Sequence, residues 1–132
     1  MTNKATGTFE VKIVPQTDRE IPMFGRMTID KQFFGDLEAT TQGQMLSAGT
    51  AIPNSAGYVA IERVEGSLHG KKGSFVLQHV GIMNRGVPTL TVTVVPDSGT
   101  GELEGLSGAL TIIREQGKHA YEFAYNLPDK KH

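Results

Sequence analysis

Glu62 and His79 are the two residues whose types and spacing point most directly to chemistry. In "GYVAIERVEGSL" (57–68), Tyr58, Ala60, Glu62, Val64, Gly66 and Leu68 recur at every second position, the period of one strand face. In "GSFVLQHVG" (73–81) the same period groups Phe75, Leu77 and His79. Where both sets face one interior, a carboxylate and an imidazole enter it together. A lone ionised carboxylate in apolar surroundings is costly, so Glu62 must be protonated or paired, with His79 or Tyr58 at hand. Such a pair can exchange a proton with a bound molecule. The plainer reading is a core histidine satisfied by a carbonyl or a tyrosine hydroxyl. Val76 and Val80 make the other face of that strand apolar as well, and a bulge at Gly66 would invert the phase.

Other constellations are weaker. Glu38, His69 and Glu104 occupy equivalent places in three short repeats, and two carboxylates with an imidazole can ligate a divalent cation. They fall opposite Leu37, Leu68 and Leu103, however. With the leucines in a core, the three become solvated surface groups, and no metal site is expected. Asp36, Ser98 and Thr100 fall near a loop rim, but no G-x-S-x-G elbow supports a hydrolase. Phe33, Phe34, Phe75, Phe123 and Tyr125 either line an apolar cavity or simply fill the core. "GTGELEGLSG" (99–108) spaces Gly99, Gly101 and Gly105 one residue too far for a dinucleotide fingerprint, with no helical pattern after it. "GSLHGKK" is one residue short of a P-loop and carries Lys72 where Ser or Thr would hold magnesium. No cofactor is expected.

The elements that must position these residues are strands. Apolar residues alternate in "TFEVKI", "TLTVTVVP" and "YEFAYN", and turn clusters such as "VPQTDREIP", "HGKKGS", "PDSGTG" and "REQGKH" separate the runs. The pattern predicts about eight strands, at about 5–11, 24–34, 35–46, 57–65, 66–70 with 73–82, 88–95, 102–113 and 120–127, with a frayed tail "DKKH". "GDLEA" (35–39), "GSLHG" (66–70) and "GELEG" (101–105) share Gly-x-Leu-x-small. An inward glycine without a side chain lets a sheet bend until it closes, so each repeat reads as a barrel corner.

The chain has 132 residues, one domain by length, with 13 Lys and Arg against 14 Asp and Glu for a net charge of −1. No global field favours nucleic acid or anionic lipid. With no cysteine there are no disulfides, thiolate metal sites or Cys nucleophiles. No run approaches the ~20 apolar residues of a membrane span. These features read as a soluble, cytoplasmic protein.

With the glycines placed in strands, "FFGDLEA", "AGYVAIERVEGSLHGKKGSFVLQHVG" and "SGTGELEGLSG" make residues 24–126 resemble the bacterial family of domains of unknown function numbered 3224. The resemblance implies a small closed antiparallel barrel similar to allene oxide cyclase and dirigent proteins, and implies no reaction. Family members tend to have Gly-Ser-Gly-Thr-Gly where this chain has Asp97-Ser98-Gly99-Thr100-Gly101; Asp tolerates positive φ, so the turn should survive.

Three functions are open to such a barrel. One is a binding module holding an apolar small molecule in its lumen or mouth, with Tyr58, Glu62, His79 and Tyr125 as polar groups. A second is an isomerase or cyclase in which Glu62 or His79 moves a proton. A third is an oligomeric structural barrel with a filled interior. "SFVLQHV" is apolar on both faces, which predicts self-association through whichever set lies outside.

Overall fold

The computed structural model describes residues 2–16, 24–115 and 117–128, apart from the side chain of residue 115. Most of the turn cluster at 14–22, Gln116 of "REQGKH" and the tail at 129–132 lie outside the described residues. Among the described residues there are eight strands: β1 (Asn3–Pro15), β2 (Phe24–Gly35), β3 (Leu37–Gly49), β4 (Ala56–Leu68), β5 (Lys71–Asn84), β6 (Val87–Val94), β7 (Ser107–Glu115) and β8 (Lys118–Asn126). Each pairs antiparallel with the next, and β8 returns to β1, closing an all-β barrel. Among the described residues the one helical element is a 3-10 turn at Gly101–Leu103, and no helix is long and apolar enough to cross a membrane.

Period two decides what enters the barrel. Ile29, Lys31 and Phe33 of β2, Ala60, Glu62, Val64 and Leu68 of β4, and Phe75, Leu77 and His79 of β5 are all buried. The expected break between 65 and 66 does not occur. The β3–β4 register runs without a slip from Leu37↔Leu68 to Gly49↔Ala56, so one phase holds along the whole of β4. Gly66 permits this by close approach, since a Cβ there would lie 2.1 Å from the Glu38 carbonyl oxygen.

One end of the barrel is filled. Phe75 stacks on Phe123 at 5.8 Å between ring centroids, Phe123 on Tyr125 at 5.3 Å, and Phe33 meets Tyr121 edge-on at 5.3 Å. The Tyr121 hydroxyl accepts from the Leu37 N–H at 2.8 Å and donates to the Phe34 carbonyl at 3.0 Å, tying β8 to the β2–β3 turn. Phe34 points the other way and is exposed.

The strand expected at 102–113 starts later, at Ser107. Residues 95–106 instead run beside β5 and then fold over the filled end. Val95 N–H donates to the Val76 carbonyl at 2.9 Å, the Ser98 hydroxyl accepts from Val76 N–H at 3.0 Å, and the Thr100 hydroxyl accepts from Ser74 N–H at 3.1 Å. Asp97 takes the positive φ, 63°, expected of its turn. Past Thr100 the 3-10 turn drops Leu103 and then Leu106 into the core. "GTGELEGLSG" is thus a plug rather than a corner in a strand, and beside it β6 pairs with β7 at Thr93↔Ala109.

Candidate functional site

At the opposite end, the ends of β3, β5 and β7 and the starts of β2, β4 and β6 surround an open cavity of about 700 Å³. Its wall is mostly apolar, with Met27, Met45, Met83, Leu90 and Ile112 among its residues, and Arg114 and Tyr58 are its strongest polar groups. Met45, Tyr58, Ile112 and Arg114 also line a narrower recess of about 80 Å³, whose wall reaches Lys31 and His79.

Behind this recess lies a buried polar cluster. Glu62 is fully enclosed. Its Oε1 accepts from Lys31 Nζ at 3.1 Å and pairs with His79 Nε2 at 2.8 Å, while Oε2 accepts from the Thr41 hydroxyl at 2.6 Å. The Thr41 hydroxyl in turn accepts from the Lys31 N–H at 3.2 Å. Lys31 Nζ also hangs over the rings of Phe9 and Phe33, 5.2 and 5.8 Å from their centroids, where a cation meets the negative π face. Burial pushes the Glu62 carboxyl up, but the His79 hydrogen bond, the Lys31 charge and the Thr41 hydroxyl outweigh it and hold the group below its ordinary value. Glu62 is therefore a carboxylate, and a carboxylate at Nε2 makes that nitrogen the donor. Nδ1 is left over, has no hydrogen-bond partner among the described residues, and belongs to a side chain that lines the recess.

Tyr58 packs its ring over Gly81, where a Cβ would lie 2.1 Å from the ring. Tyr58↔Gly81 and Ala60↔His79 are successive inward pairs of β4 and β5, so Tyr58 and His79 are diagonal neighbours on one face. Burial raises the Tyr58 hydroxyl above its ordinary value, and the Arg114 charge opposes this only in part.

The other expected residues are distributed differently. Tyr125 lies at the filled end, where its hydroxyl meets His69 Nδ1 at 2.5 Å, and does not line the mouth. His69 occupies the β4–β5 turn with φ 48° and approaches Asp36 at 3.5 Å, while Asp36 accepts from Thr6 N–H at 2.9 Å. Glu104 ends the 3-10 turn, so it is not equivalent to Glu38. Among the described residues no three potential ligands are gathered for a metal ion. Ser98 and Thr100 are spent on β5 backbone, and Phe33, Phe75 and Phe123 fill the core rather than line the cavity. Lys31 and Thr41 complete the cluster and went unread in the sequence. Their signal is phase, since "IDKQF" puts Lys31 between inward Ile29 and Phe33, and "LEATT" puts Thr41 in line with Leu37 and Ala39.

Fold and site together define a closed eight-stranded barrel, plugged at one end and open at the other above a histidine hydrogen-bonded to the buried Lys31–Glu62 ion pair. The chain belongs to the family described as "Protein of unknown function (DUF3224)", whose model matches residues 5–125. It is similar to the crystal structure of a DUF3224 protein of unknown function from Shewanella oneidensis MR-1, with 50% identity, 98% of this chain and 100% of that chain covered, and a TM-score of 0.92. No curated protein matches. Neither match speaks of allene oxide cyclase, so that likeness rests on the sequence resemblance.

Proposed function

We propose that the open end binds a small, mostly apolar molecule. The observation that carries this reading is the mouth cavity itself, whose roughly 700 Å³ and methionine-rich wall fit the size and lining of small-molecule sites. Methionines adapt their shape, which suits an elongated or irregular apolar body. Arg114 has no ion-pair partner among the described residues and offers one fixed charge at the wall. Anilinonaphthalene sulfonate, an apolar fluorophore with one anionic group, is the probe. Its emission should rise on binding the native protein, and Met45→Trp, which puts bulk into the cavity, should weaken binding at least about tenfold. No binding by the folded protein would overturn the reading.

The reading includes self-association. Leu46↔Val59↔Val80 form one outward row across β3, β4 and β5, flanked diagonally by Ile61 and Ile82, and all five are exposed. A closed barrel has no free edge, so a second copy would meet this face side chain to side chain.

A further inference from the structure

Binding alone leaves the Glu62–His79 pair without a task, and the following step rests on the binding reading. We propose that the recess below the mouth is a proton-transfer site for an apolar ketone. In it His79 Nδ1 is the base, the Tyr58 hydroxyl the donor to the ketone oxygen, and Glu62 the positioning residue that holds His79.

The geometry separates the roles. Among the described residues every hydrogen bond of Glu62 goes to Lys31, His79 or Thr41, and the carboxylate is fully buried, so it is shielded from a ligand by the groups it binds. What it does is fix the His79 ring and its tautomer, with the proton on Nε2 and the lone pair on Nδ1. A buried carboxylate also stabilises the imidazolium that exists once Nδ1 has taken a proton. Lys31 and Thr41 already suffice to pair Glu62, so a purely structural cluster has no need of a histidine that lines a recess and keeps one nitrogen unpaired yet not sealed from solvent. Tyr58 supplies the complement. Its hydroxyl makes no hydrogen bond among the described residues, and it lines both the recess and the mouth. Because burial raises its pKa, the phenol stays protonated and can donate. A recess of about 80 Å³ equals the liquid volume of roughly two or three waters, enough for a carbonyl and its neighbouring carbon, with the apolar body left in the mouth above.

The chemistry balances without a further reactant. The C–H bond beside the carbonyl breaks as its proton forms the Nδ1–H bond. The released electron pair becomes a C–C double bond, and the carbonyl π pair moves to oxygen, where the Tyr58 hydroxyl donates to it. Return of the proton to the same carbon exchanges a hydrogen; return to the far carbon of a conjugated system moves the double bond.

The test uses benzylacetone in deuterated buffer, following loss of the proton signals beside its carbonyl by NMR, with its binding read by displacement of anilinonaphthalene sulfonate. The native protein should exchange these protons about 100-fold faster than the same concentration of free imidazole. His79→Gln should return the rate to that of buffer, and imidazole added to His79→Gly should restore part of it. Glu62→Gln should lower the maximal rate about tenfold with half-saturation unchanged, a split that a merely structural role would not produce. Should that variant fold poorly, Glu62→Gln with Lys31→Met removes the stranded cation and must show the same split. Benzylacetone that displaces the fluorophore yet exchanges no faster than with imidazole overturns proton transfer and leaves binding intact. Benzylacetone that fails to displace a bound fluorophore overturns the ketone assignment, and a fluorophore that never binds takes down the cavity reading itself.

Discussion

Lys31 illustrates what a charge does when strand phase sends it inward. It shares a face with Ile29 and Phe33, and its ammonium is kept in the barrel by Glu62 and two aromatic rings. Removing one partner strands the other, so Glu62→Ala should cost about 3–5 kcal/mol in urea unfolding, whereas Lys31→Met with Glu62→Gln should recover most of that loss. A small effect of Glu62→Ala would mean that water already reaches the cluster. The same residue sets an acid limb. Since the folded Glu62 pKa lies below its unfolded value, its contribution is complete above the ordinary glutamate value of 4.5 and is lost as pH falls through the lower folded value. Stability measured downward from pH 6 should therefore fall less steeply in Glu62→Gln than in the native protein. The inward placing of Glu62 and His79 was legible because each sits in a run of apolar residues at period two. That Lys31 was their third member was not, since β2 and β4 never touch in sequence and only register, Ile29↔Gly43↔Glu62, brings them near.

At the scale of elements, the three Gly-x-Leu-x-small repeats were half legible. Their leucines, Leu37, Leu68 and Leu103, are all in the core. Their backbones differ, because the first follows a turn at Gly35, the second runs into a turn at His69 and Gly70, and the third lies in the plug. Composition cannot separate these cases, as all three use glycine beside a buried leucine. The difference comes from the Ser98 and Thr100 hydroxyls, which bind β5 as a strand would and leave the chain free to fold inward after them. Gly105 ends that inward fold at φ 84°, with the Pro128 ring 2.7 Å from where a Cβ would stand. A β-branched side chain there is strained by backbone and neighbour alike, so Gly105→Val should lose about 1–3 kcal/mol. Adjacent Glu104 is exposed, and Glu104→Ala should change stability by no more than about 0.5 kcal/mol. Equal melting temperatures for the two variants would show that the plug contributes little to holding the barrel.

For the molecule as a whole, closure was expected from the inward glycines of the repeats and from the family resemblance, but the division into a filled end and a hollow end was not. Period two tells which face a residue occupies and says nothing about its height along the barrel axis, so Tyr58 and Tyr125 read alike although they stand at opposite ends. The outer face raises the parallel question of what covers Leu46, Val59, Ile61, Val80 and Ile82, five aliphatics whose exposures run from 40% to 56%. A net charge of −1 sets up little repulsion between copies. Gln44 and Gln78 flank Ile61, and Arg63 and Glu65 lie further along β4, a mixed rim that can face its own image across a two-fold axis. Sedimentation at micromolar concentration should therefore give a dimer or larger species. Val59→Lys with Ile82→Glu, both on exposed positions, should return it to the monomer while leaving the barrel's own unfolding within about 1 kcal/mol of the native value. A native protein that sediments as a monomer would leave this face as ordinary exposed apolar surface, and the mouth cavity would then have to be understood in a single barrel.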